Sequence, residues 1–115
     1  MSPLSAIHRL ASYGTLAPGR SNYAQVADLG GTWRVGHVMG RHVQSGWGTW
    51  IGYPGFVPDP AGDRIEVHIL ETDLLPDHWE RLDAFEGDAY RRIVVTAELE
   101  DGGLIDVSIY EALPE

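Results

Sequence analysis

Apolar residues recur at or near every second position along several stretches of the chain, and this period of two predicts β-strands. The clearest case is Ile65, Val67 and Ile69, which alternate with Glu66 and His68. Glycines at 36 and 40 interrupt the longest stretch and favour a bent strand with bulges. The predicted strands are Ile7–Tyr13, Thr32–Val43, Ile65–Ile69, Ile93–Leu99 and Leu104–Tyr110, the last two joined as a hairpin by the turn Glu100–Gly103.

One segment instead follows the helical period. Leu75, Trp79 and Leu82 fall on one stripe at 3.6 residues per turn, Pro76 suits a first helical position, and Gly87 suits the residue after the last turn. With one convincing helix, the pattern predicts an α+β fold, in which a compact mixed sheet or small barrel of about six strands packs with that helix. We expect a single domain over residues 1–115, since the chain has the usual size of one domain.

Two stretches rich in glycine and proline are predicted loops. Gly14–Asn22 has the residue types of tight turns and is expected to expose backbone amides. In Gly46–Phe56, aromatic residues alternate with glycine and proline. Their rings either plug the core or line a pocket for an apolar or cationic ligand.

Glu86 breaks the pattern of the helix, because it is the next member of the apolar stripe. Burial and the negative end of the helix dipole both disfavour its ionised form, so we expect a raised pKa that suits a general base near neutral pH. The alternative is a surface ion pair with Arg91 or Arg92. Asp83 lies within reach of the same helix face and is either coupled to Glu86, bound in a salt bridge or turned toward solvent. Tyr90 and Arg92 share one side of a predicted strand and either orient Glu86, bind a carboxylate, or serve as core and surface residues.

Composition excludes several classes of function. The formal charge is −9, and the eight basic residues, all arginine, are scattered, which argues against nucleic acid and anionic membranes as partners. Without cysteine or lysine, thiol nucleophiles, Schiff-base chemistry and Walker-type phosphate loops are excluded. The five histidines lack the i, i+4 spacing of helical metal motifs, so no metal is expected. With no membrane-spanning run and no signal-peptide layout, we expect a cytoplasmic protein.

Two segments together resemble the γ-glutamylcyclotransferase-like family. Tyr13-Gly14-Thr15-Leu16 is similar to its Tyr-Gly-Ser/Thr loop, and Leu82-Asp83-Ala84-Phe85-Glu86-Gly87-Asp88-Ala89-Tyr90-Arg91-Arg92 is similar to its Leu-Asp-x-x-Glu-Gly-x-x-Tyr-x-Arg motif. Tyr53-Pro54-Gly55 also resembles family members, so the similarity spans nearly the whole chain. Where family members often carry a glycine in the strand before the helix, this chain has Glu66-Val67-His68.

The resemblance implies a mixed barrel-like fold that releases 5-oxoproline from a small-molecule γ-glutamyl amine, amide or peptide, without metal or cofactor. Glu86 matches the catalytic glutamate, Tyr13, Gly14, Thr15 and Leu16 match the substrate-binding loop, and Thr15 favours the branch that acts on γ-glutamyl amines. Two alternatives remain: a module that binds such a ligand without turnover, and an amide hydrolase that uses Glu86 to activate water.

Overall fold

Six β-strands and one α-helix form the part of the chain that the computed structural model describes, residues 5–13, 26–43, 55–86 and 90–112. For His42, Val43 and Glu86 this description covers the backbone only. The helix is α1 (Trp79–Glu86), and short 3₁₀ turns occupy Ala6–His8, Ala27–Leu29 and Leu75–Asp77. The strands are β1 (Arg9–Ser12), β2 (Thr32–Val43), β3 (Gly55–Pro58), β4 (Asp63–Glu71), β5 (Tyr90–Leu99) and β6 (Leu104–Ala112).

Five of the strands close into a barrel. β2 pairs with β4, β4 with β1, β1 with β6 and β6 with β5, and β5 returns to β2. The β1–β6 pair is parallel and the other pairs are antiparallel. β3 pairs with the last four residues of β2. The predicted α+β class, with a small mixed barrel of about six strands and one principal helix, is therefore confirmed.

Alternation along the strands divides the apolar residues between two clusters. One set of side chains fills the barrel interior, where burial of apolar surface supplies most of the stabilisation. Its buried members are Ala11, Val38, Phe56, Ile65, Val67, Ile69, Ala97, Val107 and Ile109. The alternate positions Leu10, Leu70 and Tyr110 face outward and form a second cluster with the helix stripe.

The predicted helix stripe is buried as expected. Leu75 and Leu82 are fully buried and Trp79 is 6% exposed, all within the outer cluster. The Trp79 indole nitrogen also donates a 2.8 Å hydrogen bond to the carbonyl oxygen of Ile7. Since α1 has only eight residues, this packing rather than intrinsic helix propensity holds it in place.

Some predicted element bounds and one missed strand need correction. The observed first strand begins at Arg9, two residues after the predicted start at Ile7, because Ala6–His8 form a 3₁₀ turn. The first turn of the predicted helix, Leu75–Asp77, is also a 3₁₀ turn. The last residues of the predicted aromatic loop belong to β3, where the Phe56 ring is fully buried, as the core-plug interpretation requires for that ring. Residues 46–54 of that loop lie outside the described residues.

The predicted bulges in β2 were wrong for its pairing with β4, whose register is continuous from Thr32 opposite Glu71 to Gly40 opposite Asp63. The two glycines instead allow neighbouring strands to approach the β2 backbone closely. A Cβ on Gly40 would lie 2.3 Å from the Phe56 ring, and one on Gly36 would lie 2.8 Å from the carbonyl oxygen of Glu98. Within the described ranges, no helix has the length and apolar character needed to cross a bilayer.

Candidate functional site

The strand registers bring the two motif segments to the same end of the barrel. β1 and β6 are parallel with Leu10 beside Ser108, so Tyr13, three residues after Leu10, is level with Glu111. Glu111 pairs across the hairpin with Arg91, near the start of β5. We call this level of the barrel the Tyr13 end, defined by Tyr13, Arg91 and Glu111. The loop motif begins there, and the helix motif leads into β5 there.

Tyr13 anchors the beginning of the loop motif inside the barrel. Its ring packs against the interior cluster, with its centroid 5.7 Å from that of Phe56. Its hydroxyl donates a 2.8 Å hydrogen bond to the main-chain oxygen of Tyr110. The predicted substrate-binding residues Gly14, Thr15 and Leu16 lie outside the described residues, and their contact with Glu86 stays a prediction.

Asp83 fixes the last turn of α1 against the barrel. Its carboxylate accepts hydrogen bonds from Arg92, 2.9 Å to Nε and 3.2 Å to Nη2, and from the Tyr110 hydroxyl at 2.6 Å. Burial raises the pKa of Asp83, but the hydrogen bonds from Arg92 and Tyr110 and the Arg92 charge outweigh it and leave that pKa below its ordinary value. Asp83 is therefore an ionised anchor, as the salt-bridge alternative predicted.

Tyr110 connects the two segments directly. Its hydroxyl holds Asp83 on the helix, and its carbonyl oxygen holds Tyr13 at the start of the loop. Its ring also meets that of Trp79 edge-on, with centroids 6.5 Å apart. A displacement of either segment would thus break a bond to the same residue.

Glu86 is the last residue of α1, three positions after Asp83 and four before Tyr90. Its backbone therefore follows the Asp83 anchor toward the start of β5, at the Tyr13 end. Its side chain lies outside the description, so its role and its raised pKa stay predictions. The two arginines offered as surface partners for it are bound elsewhere, Arg91 to Glu111 and Arg92 to Asp83.

Tyr90 and Arg92 share one side of β5, as predicted, and that side faces the helix. Tyr90 packs against the outer cluster, and the Arg92 guanidinium lies 4.3 Å above the centre of the Trp79 ring in addition to its bonds to Asp83. In the described structure both residues bind helix to barrel. Their predicted contact with substrate stays a prediction.

Sequence reasoning missed an ion pair inside the Tyr13 end. Glu111 is a carboxylate that follows Val107 and Ile109 on the inward side of β6, and its side chain is only 11% exposed. It accepts hydrogen bonds from Nε and Nη2 of Arg91. The signal was available, because a carboxylate at a core position of a strand is the same anomaly that singled out Glu86 on the helix. In the described ranges, no three His, Asp or Glu side chains are grouped to hold a metal ion.

Comparison with known proteins places this geometry in context. A family model described as "Gamma-glutamyl cyclotransferase, AIG2-like" matches residues 10–115. Among curated proteins, none matches the sequence. An AIG2-like protein from Mus musculus shares the fold with a TM-score of 0.72 and 21% identity, over 94% of this chain and 78% of its own.

Two further solved structures are similar. YkqA from Bacillus subtilis has a TM-score of 0.70 and 24% identity over 93% of this chain, which spans only 36% of the YkqA chain. A protein described as specific to uropathogenic E. coli, c4763, has a TM-score of 0.66 and 21% identity, over 92% of this chain and 79% of its own. At these identities the structures establish a shared fold.

Proposed function

Because the chain belongs to the AIG2-like γ-glutamyl cyclotransferase family, we propose that it releases 5-oxoproline from a small-molecule γ-glutamyl amine or peptide. The α-amine of the glutamyl group attacks its own γ-carbonyl carbon. The new carbon–nitrogen bond closes the five-membered ring, and the bond to the leaving amine breaks. Because the reaction is intramolecular, the protein has mainly to hold the folded conformer of the substrate.

Glu86 is proposed as the general acid and base. The α-ammonium must lose a proton before its nitrogen can attack, and the leaving amine must gain one as it departs. One carboxylate with a raised pKa serves both transfers: it accepts a proton from the attacking nitrogen and gives it to the leaving nitrogen. The second proton, which the attacking nitrogen loses as it becomes the ring amide, also ends on the released amine, which departs as an ammonium ion. This chemistry needs no thiol, lysine or metal, which agrees with a chain that lacks cysteine and lysine.

The observation that carries the proposal is the convergence of both motif segments at the Tyr13 end. Tyr110 binds the stem of the loop through its carbonyl oxygen and the helix before Glu86 through its hydroxyl. We further propose that backbone amides of Gly14–Leu16 bind the substrate α-carboxylate or the developing oxyanion. An oxyanion donor is worth on the order of 3 kcal/mol where such donors have been removed.

The leaving group is proposed to be an amine, because Thr15 matches the loop variant of the γ-glutamylamine branch. A panel of γ-glutamyl alkylamines and γ-glutamyl dipeptides tests this point. Faster release of 5-oxoproline from the alkylamines would support it, and preference for dipeptides would assign the protein to another branch.

The first experiment compares wild type, Glu86→Gln and Glu80→Gln, with 5-oxoproline and glutamate measured separately. Glu80 is exposed on the first turn of α1, so its variant makes the same charge change on the same helix. We expect Glu86→Gln to lose roughly 10²- to 10⁴-fold in kcat, the range of general acid–base catalysis, and Glu80→Gln to retain wild-type activity.

Each alternative function has its own outcome in this assay. Release of glutamate in place of 5-oxoproline would identify a hydrolase that activates water. Binding of the γ-glutamyl amine without either product would identify a binding module. Equal loss in both variants would show that Glu86 acts through helix stability and would refute its catalytic role.

A further inference from the structure

The Tyr13 end contains an arginine whose position suits a carboxylate ligand. Arg91 and Glu111 lie opposite each other on β5 and β6, on the side that continues the inward residues Ile93 and Ile109. Tyr13 is inward-facing at the same level. The pair therefore lies at the barrel end from which the loop motif departs.

The two members of the pair differ strongly in exposure. The Glu111 side chain is 11% exposed, whereas that of Arg91 is 65% exposed. A carboxylate withdrawn from water is stable only when it is paired, so Glu111 is tied to Arg91. Glu111 therefore serves as the fixed anchor, and Arg91 presents its guanidinium to solvent at the Tyr13 end.

The hydrogen bonds of the pair leave one edge of the guanidinium available. Nε and Nη2 of Arg91 both donate to Oε1 of Glu111. A guanidinium has five N–H donors in a planar fork, so the edge formed by Nη1 and the second hydrogen of Nη2 points away from Glu111. None of the described residues accepts a hydrogen bond from Nη1. That edge matches the two oxygens of a carboxylate.

We propose that Arg91, anchored by Glu111, binds the α-carboxylate of the γ-glutamyl substrate; this rests on the function proposed above. Arg92 is the arginine that the sequence motif singles out, but it lies on the other side of β5, bound to Asp83 and Trp79. A local cation is needed, because a chain with formal charge −9 does not attract an anionic group by its overall field.

The test is steady-state kinetics of wild type and Arg91→Gln with a γ-glutamyl alkylamine. Loss of a bidentate charged contact should raise KM by about 10- to 100-fold, with kcat changed less than threefold. The matching 4-aminobutanoyl alkylamide lacks only the α-carboxylate, and its inhibition constant should agree within about twofold between wild type and variant. Equal weakening of both compounds, or an unchanged KM, would overturn the proposal.

Two further variants separate binding from folding. Arg41→Gln removes an arginine of similar exposure, 61%, that is paired with Asp59, and it should leave KM unchanged. Arg91→Gln can leave Glu111 buried without a partner, so the double variant Arg91→Gln/Glu111→Gln removes both charges. The double variant should unfold at a temperature close to that of wild type while KM remains raised. Recovery of the wild-type KM in the double variant would overturn the proposal.

Failure of the reaction and failure of this site are distinguishable. If wild type forms no 5-oxoproline, the proposed function fails, and calorimetric titration with the same γ-glutamyl alkylamine then tests Arg91 directly. Binding at least tenfold weaker in Arg91→Gln would retain the carboxylate site in a binding module. Equal binding by both proteins, or none by wild type, would refute it.

Discussion

Asp83 shows how a single charge links the helix to the barrel. It receives hydrogen bonds from Arg92 and Tyr110, and these hold its pKa below the ordinary carboxyl value despite the opposing effect of burial. A carboxyl group with a lowered pKa in the folded state stabilises the fold above its unfolded pKa. That contribution is lost as the pH falls through the folded pKa.

The prediction at this scale is that Asp83→Asn lowers the free energy of unfolding by about 0.5–1 kcal/mol near pH 7, a modest value because the side chain is 45% exposed. The difference from wild type should shrink below about pH 4, since the ordinary pKa is 3.8. Urea unfolding at several pH values measures it. Asp73→Asn, at an exposed residue with no described ion pair, should show no such trend. A gap that stays constant down to pH 3 would contradict the prediction.

At the scale of elements, the local periodicity of apolar residues was sufficient to predict a strand or helix where the segment packs against its neighbours with one regular face. The stripe Leu75, Trp79 and Leu82 and the alternation in Ile65–Ile69 both emerged as buried faces. β3 could not be predicted, because its four residues carry one fully buried ring, Phe56, among glycine and proline. β2 extends three residues, Arg41–Val43, beyond its pairing with β4, and these residues together with Gly40 pair with β3.

The same limit applies to the site. Glu86 was predicted as a site residue because it interrupts a helical stripe, and Arg92 because it completes the family motif that ends in Tyr-x-Arg. Which arginine faces the barrel interior depends on the pairing of β5 with β6, where Arg91 is opposite Glu111. That pairing is a long-range property of the hairpin, so the sequence pattern alone did not separate Arg91 from Arg92.

The helix supplies the prediction at this scale. Leu82 is fully buried beneath α1, in the cluster that contains Leu10 and Tyr110. Leu82→Ala should lower the free energy of unfolding by about 2–4 kcal/mol, the sum of lost burial and of the cavity left behind. Glu80→Ala, at an exposed position of the same helix, should change it by less than about 0.5 kcal/mol. Guanidinium unfolding followed by circular dichroism measures both, and equal effects would show that α1 is not held by this packing.

For the whole molecule, the decisive feature is that the sheet closes on itself. Closure requires β5, at residues 98 and 99, to return to β2 at residues 36 and 37, more than sixty positions earlier. No local pattern encodes that pairing. It depends on the register of all the intervening strand pairs, and the sequence therefore predicted a mixed sheet or a barrel without deciding between them.

Gly36 makes the closure possible, because it lets β5 approach the backbone of β2. A Cβ at this position would lie 2.8 Å from the main-chain oxygen of Glu98 and 3.3 Å from Cδ1 of Ile69. A carbonyl oxygen in a strand cannot move away as a flexible side chain can. Gly36→Ala must therefore push β5 away from β2 at the point where, among the described residues, Gly36 and His37 alone are paired with it.

We expect Gly36→Ala to lower the free energy of unfolding by about 1–3 kcal/mol, as overpacking at a tight contact does. Amide hydrogen exchange should locate the change, with faster exchange at Glu98, which pairs with His37, than along the β2–β4 ladder. Gly103→Ala is the matched control, because the added Cβ would meet side-chain atoms alone in an exposed turn, the Asp101 carboxylate at 3.1 Å and Cδ1 of Leu99 at 3.9 Å. Wild-type stability and exchange in Gly36→Ala would mean that the barrel does not depend on this contact. Selective loss of protection at β5 would instead show that one glycine joins the two edges of the sheet.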